Sequence, residues 1–255
     1  RKMFGLYYNF LFLTSAAVIT ALSPQQISSY TEHCKRGSPK FNKCMKNALQ
    51  LFVNDLNKDV IDGETFDPWV MPELPLIYDA GASDKMSVTL LGVSLHGLSN
   101  LVIKNVRSNL KDKTKLRMEI DLFNNLMYFN GNYSAELISN TEVPLAAEGT
   151  FNITLVDLKG TLILKGRTVK RNNVDYLQID RASIKPELGN LYIDVVGEND
   201  PYPELTALVM SLVNQYWRLV YFEALPIIEE GLDEIIRSYV DQALSNIPFD
   251  IIVPA

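Results

Sequence analysis

The residues best suited to chemistry are Gly92-Val93-Ser94-Leu95-His96, a serine and a histidine in a frame resembling G-x-S-x-G. A nucleophile elbow needs the second glycine, where this chain has His96, and must turn straight into a helix. Here a strand pattern follows, so Ser94 and His96 read as ordinary strand residues. Three other clusters fail in similar ways. His33, Cys34 and Cys44 lack a fourth ligand and a zinc-like spacing. Asp55, Asn57 and Asp59 open like a calcium loop, but Val60 stands where the loop needs glycine and no closing glutamate follows. Glu229, Glu230, Asp233 and Glu234 fall opposite Ile228, Leu232, Ile235, Ile236 and Tyr239 on a helical projection, which marks a solvated face and not a pair of acids held for catalysis. No catalytic residue, metal site or cofactor is expected from these groups.

Composition points the same way. The chain has 255 residues, 47% hydrophobic and 21% charged, enough for one large core. Its formal charge is -6. Such an acidic balance, without a basic run, argues against nucleic acid and against electrostatic docking on anionic lipid. Residues 1–22 have a basic start, an apolar middle and small residues towards the end, the layout of a secretory signal peptide with cleavage near Ala21 to Ser23. A retained anchor is the alternative, but the apolar run is short and broken by Asn9, Thr14 and Ser15. Without Arg1 and Lys2 the chain keeps 22 basic against 30 acidic residues, a balance of -8. In an oxidising compartment Cys34 and Cys44 most simply pair, closing a short loop worth ~3 kcal/mol at best; free thiols are the other reading.

The elements that must position everything else fall into three zones. Ser38-Pro39 reads as a cap and first-turn proline for a helix over roughly 39–60, with Met45, Ala48, Leu49, Phe52, Leu56 and Val60 on one face. Residues 67–75 form a proline-punctuated, extended connection. From Met86 to Val196 the period becomes two: Leu116, Met118, Ile120 and Leu122, then Leu145, Ala147, Gly149, Phe151, Ile153 and Leu155, then Leu191, Ile193 and Val195, with shorter strands near 161–168 and 174–180. Turns are expected at Asn130-Gly131 and Arg171-Asn172-Asn173, and a slip of apolar phase near Leu90-Leu91 predicts a bulge. The sequons Asn132-Tyr133-Ser134 and Asn152-Ile153-Thr154 put Asn132 and Asn152 on the wet face as glycosylation candidates and set Phe129, Gly131, Tyr133, Phe151 and Ile153 inward.

Last comes Glu204 to Asn246, a single helical run of about 65 Å. Up to Leu225 it is apolar almost all round, with a narrow stripe of Ser211, Asn214, Gln215 and Arg218 left for water. A kink or break is expected at Pro226, an enclosed first half before it and an acidic side facing water beyond it. A curved antiparallel sheet whose dry face wraps this helix would bury both. The fold class is therefore α+β: a long C-terminal helix wrapped by a strongly curved antiparallel sheet, with an N-terminal helix, in one domain spanning 23–255.

The opening segment CKRGSPKFNKC from Cys34 to Cys44, the motif Gly131-Asn132-Tyr133, PLAAEGTFNITL from Pro144 to Leu155, Asn214 to Trp217, Pro226 and the ending IPFDIIVP from Ile247 to Pro254 resemble, in this order, the takeout and juvenile hormone-binding protein family of insects. The resemblance covers nearly all of the mature chain. It implies an internal tunnel for a terpenoid or fatty-acid-like ligand. Two departures stand out. Ala147 replaces the first glycine of a Gly-x-Gly, which implies a slightly narrower cavity. The chain also has cysteines for one disulfide where high-affinity hormone carriers have two, which favours the takeout branch.

The expected function is that of a secreted, extracellular, monomeric carrier of a small hydrophobic ligand, with no enzyme activity, no nucleic acid partner and no stable membrane insertion. Phe129, Tyr133, Phe151, Val213, Trp217 and Tyr221 are the expected tunnel lining, Tyr133 supplying a hydroxyl. A lipid ester hydrolase using Ser94 and His96, and a structural or membrane-surface protein with a filled core, are the rival readings.

Overall fold

The computed structural model describes residues 23–58, 66–79, 85–138, 145–198, 200 and 202–255. The signal segment, Asp59, Val60 and Pro144 lie outside these. Helix α1 (Pro24–Thr31) opens with a capping box in which Ser23 and Gln26 satisfy each other's backbone N–H. Helix α2 (Phe41–Asn54) buries Phe41, Met45, Ala48 and Val53. It stops short of the expected residue 60, with Asp55 at its end accepting from the Tyr30 hydroxyl at 2.9 Å and from Lys58 at 2.6 Å. The would-be calcium ligand therefore ties α1 to α2. Cys34 and Cys44 form the expected disulfide.

Among the described residues seven antiparallel strands follow: β1 (Trp69–Asp79), β2 (Lys85–His96), β3 (Val102–Asn109), β4 (Leu116–Ile138), β5 (Leu145–Arg171), β6 (Val174–Ile184) and β7 (Asn190–Gly197). Strands β4 and β5, 23 and 27 residues long, pair along their lengths and form the spine. Strands β2 and β3 share the far side of β4, while β6 and β7 share that of β5. The proline-punctuated stretch is the terminal strand β1, where residues without an N–H are tolerated. The bulge expected near Leu90-Leu91 is a register shift between Leu91 and Ser94, with Gly92 at φ +57°. Arg171-Asn172-Asn173 turns as expected, both asparagines having positive φ.

Two expectations are corrected. Asn130-Gly131 is no turn: Asn130 faces Asn152 and Gly131 faces Phe151 inside the continuous β4–β5 ladder. For the same reason 145–155 and 161–168 are parts of one strand. Both spine strands switch faces halfway along. Leu116, Met118 and Ile120 of β4 and Leu162 and Leu164 of β5 pack in one core with α1, α2 and the short α5 (Phe249–Ile252). Beyond the switch the inward positions change parity, to Met127, Phe129 and Tyr133 on β4 and to Phe151, Ile153 and Leu155 on β5. Asp157, at φ 51°, stands at the switch. Asn124 plugs it. Its side chain is fully buried, donates to the Gly97 carbonyl at 2.6 Å and accepts from the Leu126 N–H at 2.9 Å. Asp67 braces the adjoining turn by accepting from the Gly97 and Ser99 amides.

The terminal run is two helices, α3 (Pro203–Gln215) and α4 (Trp217–Leu244), interrupted at Tyr216 and not at Pro226, which lies inside α4. The helix pair runs along the free edge of β7 and β6, and five of its polar side chains reach that edge. Asn214 accepts from the Ile193 N–H at 2.8 Å and donates to the Ile193 carbonyl at 2.7 Å. Arg218 and Tyr221 reach the carbonyls of Gly189 and Pro186, and Asp233 and Asp241 accept from the amides of Ala182 and Ile179.

This reverses the expected orientation. An edge strand presents unpaired N–H and C=O groups that need polar partners. Asn214 and Arg218 of the stripe assigned to water therefore turn to the sheet, Ser211 and Gln215 stay exposed as expected, and Leu205, Leu208, Leu212, Leu219 and Phe222 stand exposed beside them. The first half is not enclosed on that side, and Asp233 is not a merely solvated acid. On the other side Tyr239 of α4 meets the Trp69 ring of β1 at 4.6 Å, so the curved sheet's two margins both reach the helix. Gly231 of α4 has open space where a Cβ would stand. Gly231→Ala is expected to stabilise the protein by about 1 kcal/mol, measured as a higher urea midpoint.

Candidate functional site

Strand pairing assembles a dry patch at the end of the sheet built from β1, β2, β4, β5 and β7. One cross-strand row is Trp69, Leu95, Phe129, Ile153 and Ile193; another joins Phe151 to Val195. Met71, Val93 and Phe151 are its buried centre, with Trp69, Leu90, Phe129, Tyr133, Ile153 and Val195 packed round them.

Glycine makes room for the rings. Tyr133 stands opposite Gly149, and Phe151 opposite Gly131, on the two spine strands. A Cβ on Gly149 would lie 2.9 Å from the Tyr133 ring, and one on Gly131 3.2 Å from the Phe151 ring. The motifs Gly131-Asn132-Tyr133 and Gly149-Thr150-Phe151 are thus one reciprocal arrangement, each aromatic ring lying against the glycine across the ladder. Ala147, across from Ala135, is exposed.

The polar content of this patch is small. Burial, reinforced by the Asp200 carboxylate, raises the Tyr133 hydroxyl pKa, so it remains a neutral donor. It forms no hydrogen bond among the described residues. Asp200 itself is held at the start of α3, accepting from the Tyr202 N–H at 2.8 Å and the Thr206 hydroxyl at 2.5 Å.

Of the six expected lining residues, the sheet brings Phe129, Tyr133 and Phe151 together. Trp217 and Tyr221 form a separate edge-to-face pair at 6.3 Å on α4, with Trp217 buried, and Val213 is half-buried on α3. The Tyr221 hydroxyl is committed to the Pro186 carbonyl, and burial, with help from Glu229 and Glu187, pushes its pKa up to about 12. Trp69, Met71, Val93, Leu95 and Val195 were missed as lining. Trp69 and Met71 were hidden because the proline-rich stretch reads as a connection; period-two alternation alone would have found Val195.

Ser94 and His96 lie on the opposite, wet face. Ser94 pairs with Val70 and Asn130 in mid-strand, and the His96 ring stacks on Tyr128 at 4.3 Å. No elbow is present at this serine. Among the described residues no helix is long and apolar enough to cross a membrane.

A search of curated proteins finds no match. Among solved structures, the crystal structure of Epiphyas postvittana Takeout 1 superposes with a TM-score of 0.64 at 21% identity, covering 84% of this chain and 96% of that one. This likeness is one of fold. Lipopolysaccharide binding protein aligns at a TM-score of 0.34 and 12% identity, over 67% of this chain and 33% of that one, too low to carry an argument. The family model for haemolymph juvenile hormone binding protein (JHBP) matches residues 10–254, nearly the full length. The chain therefore belongs to the haemolymph juvenile hormone binding protein family.

Proposed function

We propose that the protein is a secreted, non-enzymatic carrier of a small hydrophobic ligand, terpenoid or fatty-acid-like, seated on the dry face around Phe129, Tyr133 and Phe151. The observation that carries this reading is the reciprocal glycine and aromatic pairing, which sets two rings against glycines, with the Tyr133 hydroxyl making no hydrogen bond among the described residues. An apolar surface with one or two convergent polar groups is what a hydrophobic ligand needs, each buried Å² contributing ~25 cal/mol. Family membership and the takeout-like fold support it. Val213, Trp217 and Tyr221 are proposed as a second, separate part of the lining, on the helices.

Delipidated protein titrated with terpenoid, fatty-acid and hydrocarbon probes is expected to bind at least one class saturably. Trp217→Ala should weaken that binding more than Glu230→Ala, and Tyr133→Phe should weaken oxygenated probes but spare hydrocarbons. Absence of saturable binding by every probe would overturn the reading. Ester turnover abolished by Ser94→Ala would move the protein to the hydrolases.

A further inference from the structure

The wet face of the same sheet carries its own order. Strand register lays out three rows: His96, Tyr128, Thr154 and Tyr192; Ser94, Asn130, Asn152 and Asp194; Leu91, Asn132, Thr150 and Val196. Tyr192 is 53% exposed and Val196 61%, with Tyr128 and Leu91 also exposed. These apolar side chains stand on a face whose other members are polar, namely asparagine, serine, threonine, His96 and Asp194. Both sequon asparagines sit within it. Asn132 faces Thr150, so Asn152 is its diagonal neighbour on the next strand, about 7–8 Å away. A shallow depression of about 350 Å³ is lined by both asparagines together with Asn130, Thr150, Asp194 and Val196.

The side-chain amides of these two asparagines are uncommitted. Asn124 and Asn214 have both ends of the amide bonded to backbone, and Asn190 bonds Tyr192 and its neighbour's amide. The side chains of Asn132 and Asn152 make no hydrogen bond among the described residues, and both residues are exposed. Each sequon also puts its hydroxyl residue, Ser134 or Thr154, on the same side as the asparagine, while Tyr133 and Ile153 between them anchor the dry face. A bulky group on either nitrogen breaks nothing in the fold.

We propose that Asn132 and Asn152 are both N-glycosylated, and that the paired glycans cover the exposed side chains of Tyr128, Tyr192 and Val196. The inference rests on the reading that the chain is secreted. At each site the asparagine Nδ2 loses a proton and bonds to the anomeric carbon of a lipid-linked oligosaccharide diphosphate. The bond from that carbon to the diphosphate oxygen breaks, and the lipid diphosphate leaves. Two attachment points one diagonal step apart direct both glycans over the same rows, so that face is closed to protein partners while the dry face stays free for ligand.

The full chain, with an initiating Met, is translated with endoplasmic reticulum microsomes and, separately, behind a heterologous leader in insect cells. Intact mass before and after peptide-N-glycosidase should show two glycans, released with conversion of Asn132 and Asn152 to aspartate. Asn132→Gln and Asn152→Gln should each lose one glycan and Asn132→Gln/Asn152→Gln both, the double variant binding more apolar dye than the wild type. A protease-protected chain with either asparagine unmodified overturns the proposal and leaves secretion standing. A chain left outside the microsomes by its own leader overturns the secretion reading, and the heterologous leader then still decides the two sites. Unchanged dye binding by the double variant overturns the covering role.

Discussion

Asn124→Ala is expected to destabilise the protein by about 3 kcal/mol, lowering the melting temperature by roughly 6–12 °C. The side chain is fully buried and bonds in both directions, to the Gly97 carbonyl and from the Leu126 amide. Removing it leaves a donor and an acceptor in the protein interior, each costing about 1–3 kcal/mol when unpaired. It also opens a gap where β4 and β5 exchange faces. Asn124→Leu separates the two causes. It fills the volume but cannot bond, so it should lose nearly as much stability as alanine does. Asn124→Asp keeps the acceptor for Leu126 and sets a carboxylate oxygen against the Gly97 carbonyl, so it should fall with the others. Urea denaturation of the three variants measures this, and a loss below about 1 kcal/mol for alanine would show that the switch does not depend on this amide.

The second large effect is expected at Gly149. A Cβ there would lie 2.0 Å from the Val196 carbonyl oxygen and 2.9 Å from the Tyr133 ring. The first of these is backbone, held in register with β5, and cannot step aside without opening the β5–β7 pairing. Overpacking of this kind costs about 1–3 kcal/mol. Gly149→Ala should therefore lower the urea midpoint, the reverse of Gly231→Ala, although both replace glycine with the same residue. It should also push Tyr133 off its glycine and weaken probe binding. Gly149→Ala with unchanged probe affinity would detach the ligand site from the aromatic and glycine pairing. The comparison with Gly231 matters because propensity alone favours alanine in a helix and says little about a strand glycine, where the neighbouring strand decides.

How much of this was legible beforehand depended on whether the information was local. Alternation told which side of each strand is dry, because successive side chains of an extended chain must point opposite ways. That rule marked the slip at Leu91 and, with the two sequons setting Asn132 and Asn152 outward, grouped Phe129, Tyr133 and Phe151. The cysteine pair was also legible, being ten residues apart in a short closed loop. The parity change between Ile120 and Phe129 was visible in the same pattern, but its meaning was not: Asn130-Gly131 has the composition of a tight turn, and only the unbroken pairing of β4 with β5 shows the chain running straight through it. Composition ranks turn formers; a partner strand that satisfies their backbone groups outweighs the ranking.

The terminal helices show the limit most clearly. Their sequence alone determined that a long apolar helical run exists, and it singled out Ser211, Asn214, Gln215 and Arg218 as the polar stripe. Burial logic sent that stripe to water, because apolar surface normally seeks the interior. The tertiary structure decided otherwise for Asn214 and Arg218, since the neighbour on offer is the open edge of β6 and β7, a row of backbone donors and acceptors that only polar side chains can satisfy, while Ser211 and Gln215 stay exposed. Nothing within Glu204 to Asn246 encodes that edge. It exists because β5 is long enough to carry two short partners end to end, and so the orientation of the helix, and with it the partition of Trp217 and Tyr221 from the aromatic patch on the sheet, was fixed only when the whole chain had folded.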